Sequence, residues 1–134
     1  MSTEQQQQQQ QQTKSVFKYL NSLSDKETQI NLNNRQLTSV PDLSRFKNLV
    51  VLNVSNNNLT SIPVYLPDTL KELIINNNYL KFIPDTLPKG LEQLKIFNNP
   101  YLSELYGRFY NDNFMHDFEF TQERRDYIIQ RNIT

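Results

Sequence analysis

The chain of 134 residues contains no cysteine, no tryptophan and no alanine, and it has only two glycines. The absence of cysteine excludes disulfide scaffolds, thiolate metal sites and cysteine-dependent catalysis. The two glycines, Gly90 and Gly107, are too few for either common phosphate-binding glycine motif. The G-x-S-x-G turn of many serine hydrolases is also missing. These absences remove most of the motifs that identify an enzyme from its sequence.

Charge is balanced, because 14 lysines and arginines face 14 aspartates and glutamates. A nucleic-acid-binding protein needs a basic surface, so we expect no nucleic-acid partner. No apolar segment reaches the ~18 residues that a membrane span requires. The start of the chain lacks the basic and apolar regions of a secretory signal. We therefore expect an intracellular, cytoplasmic protein that does not contact a membrane.

Acidic residues surround the only histidine, His116. The segment from Asp112 to Glu123 has the length of a calcium loop. However, Phe114 stands at a ligand position and Asp117 replaces the required glycine. We therefore expect no metal, no cofactor and no catalytic residues, and we expect that the protein is not an enzyme.

An internal repeat is the strongest feature of the sequence. Four similar segments begin at Glu27, Leu49, Leu70 and Leu91, about 21 residues apart. Apolar residues recur at two positions of the segments: Ile30, Leu52, Leu73 and Leu94 at one, and Leu32, Val54, Ile75 and Ile96 at the other. A third position holds asparagine in the last three segments: Asn57, Asn78 and Asn99. Arg35 takes that place in the first segment.

The repeated pattern L-x-x-L-x-L-x-x-N-x-L resembles the leucine-rich repeat family. It is similar to the short repeats of bacterial effector proteins and of proteins from large DNA viruses and amoebae. The resemblance covers about residues 27–105 and implies an α/β fold. This fold is a short curved leucine-rich repeat solenoid of about four repeats with a parallel concave sheet, a helical N-terminal cap and an aromatic and helical C-terminal cap. It also implies that the asparagine column is buried and structural, although a ligand-binding ladder is the alternative.

The segments outside the repeats predict the remaining organisation. Residues 1–14 include an unbroken glutamine run, which we expect to be a disordered tail, with a self-association tract as the alternative. Residues 15–26 predict a cap helix whose start Thr13 or Ser15 could cap. Residues 106–134 predict a C-terminal cap with a helix starting near Thr121. The aromatic residues of this cap are alternatively a binding surface.

Outward positions of the predicted strands define the candidate binding face, because side chains alternate along a strand. The candidate partner-binding residues are Val51, Asn53, Ser55, Glu72, Ile74, Asn76, Gln93, Lys95 and Phe97. Val51, Ile74 and Phe97 are the apolar members, and their spacing predicts an oblique apolar stripe. Scattered exposed apolar residues are the alternative interpretation, since they are common on protein surfaces.

Two functions remain after these exclusions. The first is a non-catalytic protein–protein interaction module that binds a partner protein through the concave face of the solenoid. The alternative is a structural or self-associating protein, driven by the glutamine run or by end-to-end stacking of solenoids. We expect a monomer. No sequence feature identifies the partner.

Overall fold

A computed structural model describes residues 3–133 of the chain. Four short strands and four helices make it a mixed α/β protein. The elements in chain order are α1 Thr3–Asn21, β1 Gln29–Asn31, β2 Val51–Asn53, β3 Glu72–Ile74, β4 Gln93–Lys95, α2 Leu102–Tyr106, α3 Arg108–Phe114 and α4 Gln122–Ile133. The predicted α/β class is confirmed.

The four strands form one parallel sheet in the order β1-β2-β3-β4. Its register pairs Ile30 with Leu52, Leu52 with Leu73, and Leu73 with Leu94. These residues form the first apolar column of the repeated pattern. The predicted parallel sheet is therefore confirmed, with each segment adding one strand beside the previous one.

The core lies on one side of this sheet, where both apolar columns point. All eight residues of the two columns are at most 1 % exposed. The segments that connect successive strands fold over them and contribute further buried side chains, among them Phe46, Leu59 and Leu80. Full burial of a leucine or isoleucine side chain stabilises a fold by about 1.5–3 kcal/mol. The core is therefore the main source of stability for strands that are only three residues long.

The asparagine column is buried beside the carboxyl ends of the strands. The amide nitrogen Nδ2 of Asn78 donates to the carbonyls of Val54 at 3.1 Å and Ile75 at 3.2 Å. Its Oδ1 accepts a hydrogen bond from the backbone N–H of Leu59 at 2.9 Å. Asn99 has the same kind of contacts one segment later. Each amide thus joins two successive segments, which supports the structural role over a ligand ladder.

A second asparagine column lies in the turns that follow the strands. Its members have left-handed backbones with φ between 56° and 58°: Asn34, Asn56, Asn77 and Asn98. Asparagine tolerates this conformation better than other residues with a Cβ atom. Asn77 Nδ2 also donates to Asn56 Oδ1 at 2.9 Å. This column has a conformational role that the repeat alignment did not predict.

The glutamine run is helical, which contradicts the prediction of a disordered tail. Residues 3–14 form the first part of α1, whereas we expected residues 1–14 to be disordered. Residues 1 and 2 lie outside the described part of the chain. Glutamine is a good helix former, and Val16 and Leu20 anchor the second half of the helix in the core. Extension of an anchored helix avoids the unfavourable nucleation step. The predicted start at residue 15 was therefore too late, and the helix ends at Asn21.

The predicted caps of this helix are also wrong. Thr13 lies inside α1, and its hydroxyl donates to the Gln9 carbonyl at 2.9 Å. Ser15 lies inside it as well and accepts a 2.8 Å hydrogen bond from Arg35. Neither hydroxyl therefore caps the helix start.

Arg45 joins the end of α1 to the first repeat segment. Its guanidinium donates to the carbonyl of Leu20 in the last turn of the helix and forms an ion pair with Asp25. The guanidinium carbon lies 4.0 Å from the centre of the Phe46 ring. A cation close to the negative end of a helix is electrostatically favourable. This contact holds α1 against the amino-terminal end of the stack.

The C-terminal helices cover the other end of the stack. They bury aromatic and aliphatic side chains against the last segment: Tyr106, Tyr110, Phe114, Phe120 and Ile128. Thr121 immediately precedes α4, and its hydroxyl accepts a hydrogen bond from the Arg124 N–H at 3.2 Å. The predicted cap of the last helix is confirmed. The first helix of this region, α2, begins at Leu102 and thus crosses the predicted boundary after residue 105.

Candidate functional site

The side of the sheet opposite the core is the candidate site. We define the outer face as the outward side chains of the four strands: Gln29, Asn31, Val51, Asn53, Glu72, Ile74, Gln93 and Lys95. Each of them is partly or fully exposed. Their alternation with buried residues follows from the pleat of a β-strand. The predicted outward positions within the strands are therefore found where we expected them.

Val51 and Ile74 form a diagonal apolar pair on this face. Val51 pairs with Glu72, and Ile74 pairs with Asn53, so the two apolar residues lie on adjacent strands two positions apart. The spacing between adjacent strands and the rise of two residues along a strand place the backbones of two such residues about 8 Å apart. This distance lets two branched side chains approach each other over a polar face. Val51 and Ile74, the first two residues of the predicted stripe, therefore lie diagonally next to each other on the outer face.

Phe97, the third residue of the predicted stripe, packs against another aromatic ring. It follows the end of β4, and its ring lies 5.6 Å from the ring of Phe118. Phe118 comes from the C-terminal region and leaves Phe97 only partly exposed. The sequence alignment missed this contact because the two residues belong to different parts of the chain. Val51, Ile74 and Phe97 are therefore all half-buried, and only Val51 and Ile74 line the same depression on this face.

Ser55 and Asn76 differ from the prediction as well. Their exposed fractions are 4 % and 8 %, so neither side chain lies open on the outer face. The Ser55 hydroxyl donates to Asn53 Oδ1 at 2.6 Å. Both residues lie two positions beyond the last residue of their strand, where the chain begins to turn and strand alternation ends. We therefore correct their assignment as exposed binding residues.

The charges at the β3–β4 side of the outer face neutralise each other. Lys95 Nζ lies 3.3 Å from Glu72 Oε1. The same ammonium lies 5.2 Å from the centre of the Phe118 ring, which favours a cation over its face. Lys95 and Glu72, both predicted as partner-binding, therefore already have partners within the chain.

A short extended segment closes the β4 edge of the sheet. The Leu94 N–H donates to the Phe118 carbonyl, and the Phe120 N–H donates to the Glu92 carbonyl, both at 2.8 Å. Gln93 and Glu119 form an antiparallel bridge between these bonds. Edge strands with unpaired backbone groups tend to associate, so this pairing protects the sheet.

An ion pair holds the same segment in place. Arg124 Nη2 lies 2.9 Å from Asp117 Oδ2. The hydrogen bond from Arg124, with a further one from the Glu119 N–H, lowers the pKa of Asp117. The alternation of Phe118 and Phe120 around Glu119 is the sequence signal that could have predicted this strand-like segment.

The β1–β2 side of the outer face contains a shallow depression with a volume of about 430 Å³. Helix α1 and the segment after it provide one wall, and the first three strands provide the floor. The lining residues are Tyr19, Leu23, Glu27, Gln29, Ile30, Asn31, Val51, Asn53 and Ile74. Tyr19, Leu23 and Glu27 were not among the predicted binding residues, because they precede the first strand. Their position shows that the N-terminal cap contributes to the candidate site.

Neither a cluster that could hold a metal ion nor a helix that could span a membrane occurs in the described chain. His116 is exposed, and residues 3–133 contain no cluster of three His, Asp or Glu side chains that could hold a metal ion. Within the same residues, no helix combines the length and the apolar character needed to cross a bilayer. The outer face and its depression are the candidate site that combines the predicted outward strand residues with a concave surface.

Comparison of the sequence with known protein families and with curated proteins gives no match to any family and no match to any curated protein. The repeated residues and the fold they form thus carry the structural interpretation by themselves. The function has to be inferred from the surface that the fold presents.

Proposed function

We propose that this protein is a non-catalytic protein–protein interaction module of the leucine-rich repeat type. It binds a partner protein through the concave outer face of a short curved solenoid. One observation carries this proposal: Val51 and Ile74 share an open depression on a face whose other strand residues are polar or charged. Exposed apolar groups surrounded by polar ones are typical of protein interaction sites.

Hydrogen bonds between successive segments support the interpretation of the chain as a stack of repeats. Strands from successive segments pair in register, and buried asparagines connect one segment to the next. Stacked segments of this kind form solenoids with extended binding surfaces. Helix α1 and the C-terminal helices cover the two ends of the stack, which supports binding through its exposed outer face.

Both edges of the sheet have partners inside the chain, which supports a monomer. The β4 edge pairs with residues 118–120, and the outward N–H of Asn31 on β1 donates to the Tyr19 hydroxyl at 3.1 Å. End-to-end stacking of solenoids would have to displace these contacts. Self-association through the exposed glutamine helix remains the second candidate function, since residues 3–11 project no side chain into the core. Sedimentation with and without residues 1–12 separates the two candidates.

A capture experiment with matched variants tests the proposed function. The full chain and the double variant Val51→Asn, Ile74→Asn are immobilised, and proteins from the native cell lysate are quantified on each. The control variant Val64→Asn, Tyr65→Asn also removes exposed apolar side chains, but from a segment that connects β2 and β3. Melting curves verify that all three chains are folded.

We expect a defined set of proteins to bind the parent chain and the control variant but not the outer-face variant. The few residues whose loss weakens an interface by more than about 1 kcal/mol cluster near its centre. Equal capture by the parent and the outer-face variant would contradict the proposed site.

A further inference from the structure

The depression on the outer face is lined by one carboxylate that forms no ion pair within residues 3–133. Glu27 is its only acidic or basic lining residue, and no cation lies within ion-pair distance of Glu27 in residues 3–133. The nearby carboxylates differ, because Asp25 pairs with Arg45 and Glu72 pairs with Lys95. A carboxylate that lines a depression and lacks a counter-ion favours a cationic ligand.

Two amides on the floor of the depression offer hydrogen-bond donors. Asn31 Oδ1 accepts from the Asn33 N–H, and Asn53 Oδ1 accepts from the Ser55 N–H, both at 3.0 Å. Their Nδ2 groups make no hydrogen bond within residues 3–133. Asn31 and Asn53 are paired across β1 and β2, so their backbones lie about 4.8 Å apart. The floor therefore presents two neighbouring N–H₂ donors that suit the carbonyl oxygens of a peptide backbone.

The apolar part of the depression lies beside these polar groups. Val51 and Ile74 form its floor, and Tyr19 and Leu23 form the wall from α1 and the residues after it. Arg35 lies over the Tyr19 ring, 5.3 Å from its centre, but is not among the lining residues. No basic side chain lines the depression, and Glu27 is the one acidic side chain that does.

We propose that this depression binds an extended peptide segment of the partner in which a lysine or arginine lies close to an apolar side chain. The inference rests on the proposed function and specifies the chemistry of the partner. The basic side chain pairs with Glu27, and the apolar side chain packs on Val51 and Ile74. Backbone carbonyls of the peptide accept hydrogen bonds from Asn31 and Asn53.

A peptide selection tests this inference. The full-length chain is immobilised and used to select from a phage-displayed library of random twelve-residue peptides. Enriched peptides are synthesised with a fluorescent label, and their binding is measured by fluorescence anisotropy. We expect the enriched sequences to combine lysine or arginine with aliphatic or aromatic residues, and we expect their affinity to fall as salt is added.

Variants connect the selected peptides to the depression. Glu27→Gln removes the charge at nearly constant volume, and we expect it to weaken binding about ten-fold, as does loss of the basic side chain in the peptide. Glu104→Gln removes an exposed carboxylate on α2 and serves as the matched control. A melting curve for each variant verifies the fold.

The outcomes separate the inference from the proposed function. Peptides that lose affinity with Ile74→Asn but not with Glu27→Gln would overturn the basic-peptide inference and leave the outer face as the binding site. Peptides unaffected by both variants would overturn both. Enrichment of acidic peptides, or no enrichment at all, would overturn the inference.

Discussion

The hydroxyl of Tyr110 donates a 2.7 Å hydrogen bond to the backbone carbonyl of Ile96. Two segments earlier, the equivalent carbonyl of Val54 accepts from Nδ2 of Asn78 in the next segment. The tyrosine therefore takes the place of the asparagine that a further segment would supply. It also accepts a hydrogen bond from the backbone N–H of Asn99 at 3.0 Å. One hydroxyl thus terminates the asparagine column at the C-terminal end of the stack.

The first prediction concerns this hydroxyl. Tyr110→Phe leaves the buried Asn99 N–H without its partner and removes one of the two hydrogen bonds to the Ile96 carbonyl, which still accepts from Asn99 Nδ2 at 2.9 Å. We therefore expect a loss of about 1–3 kcal/mol in the free energy of unfolding. Urea denaturation measures the change. Tyr127→Phe is the control, because its ring stacks on Phe109 at 3.7 Å and its side chain is more exposed. Equal losses in the two variants would show that the hydroxyl has no special role.

The second prediction concerns alkaline pH. Burial raises the pKa of Tyr106 and Tyr110 above the ordinary value of 10.0. Below that value both hydroxyls are neutral in the folded and the unfolded chain, and their contribution to stability is complete. Above it, the unfolded chain loses these protons first and binds fewer protons than the folded chain. The free energy of unfolding therefore falls as pH rises through the folded-state pKa values.

Urea denaturation between neutral and alkaline pH checks this dependence. Removal of one buried hydroxyl in Tyr110→Phe should make the decline above about pH 10 shallower than in the parent. Tyr127→Phe, which removes a more exposed hydroxyl, serves as the comparison. A decline of the same steepness in all three proteins would assign it to other groups.

The third prediction concerns the centre of the core. Leu73 lies in β3 with a strand on each side and has no exposed surface. Leu73→Ala should cost about 2–5 kcal/mol, which is a large part of the ~5–15 kcal/mol that stabilises a typical domain. Ile74→Ala, one residue further and on the outer face, should have a much smaller effect. Thermal melting of both variants tests the assigned register, and an unchanged midpoint for Leu73→Ala would contradict it.

The fourth prediction separates the two asparagine columns. Asn78→Ala removes buried hydrogen bonds between segments and should cost about 1–3 kcal/mol. Asn77→Ala should also be destabilising, by about 1 kcal/mol, because alanine is strained at a φ of 58°. Asn77→Gly should recover most of that loss, whereas Asn78→Gly should not. Chemical denaturation of the four variants tests this pattern.

The behaviour of Asn77 shows the limit of repeat-based prediction. Alignment of the segments placed Asn78 in an asparagine column, and the family resemblance implied that this column is buried. It gave no sign that Asn77 has a left-handed backbone, because an alignment does not display backbone dihedral angles. The role of Asn78 follows from a repeated pattern of side chains, whereas the role of Asn77 follows from the left-handed backbone of a turn.

The outer face was predictable only within the strands. The alternation of side chains along a strand placed Val51 and Ile74 on the outer face correctly, because each strand is regular over its three residues. It failed at Ser55 and Asn76, which lie beyond the strand ends. It also did not show that Phe118 packs on Phe97, because a contact between distant segments leaves no period in the sequence.

The last prediction concerns the glutamine helix. Residues 3–11 of α1 are exposed, and the buried anchors Val16 and Leu20 lie in its second half. Deletion of residues 1–12 should therefore lower the far-ultraviolet helical signal while leaving the melting temperature of the core unchanged. Leu20→Ala is the contrasting variant, since it removes a buried contact and should cost about 2–5 kcal/mol. A clear drop in melting temperature after the deletion would show that the glutamine residues stabilise the domain, and a change in sedimentation would assign them a role in self-association.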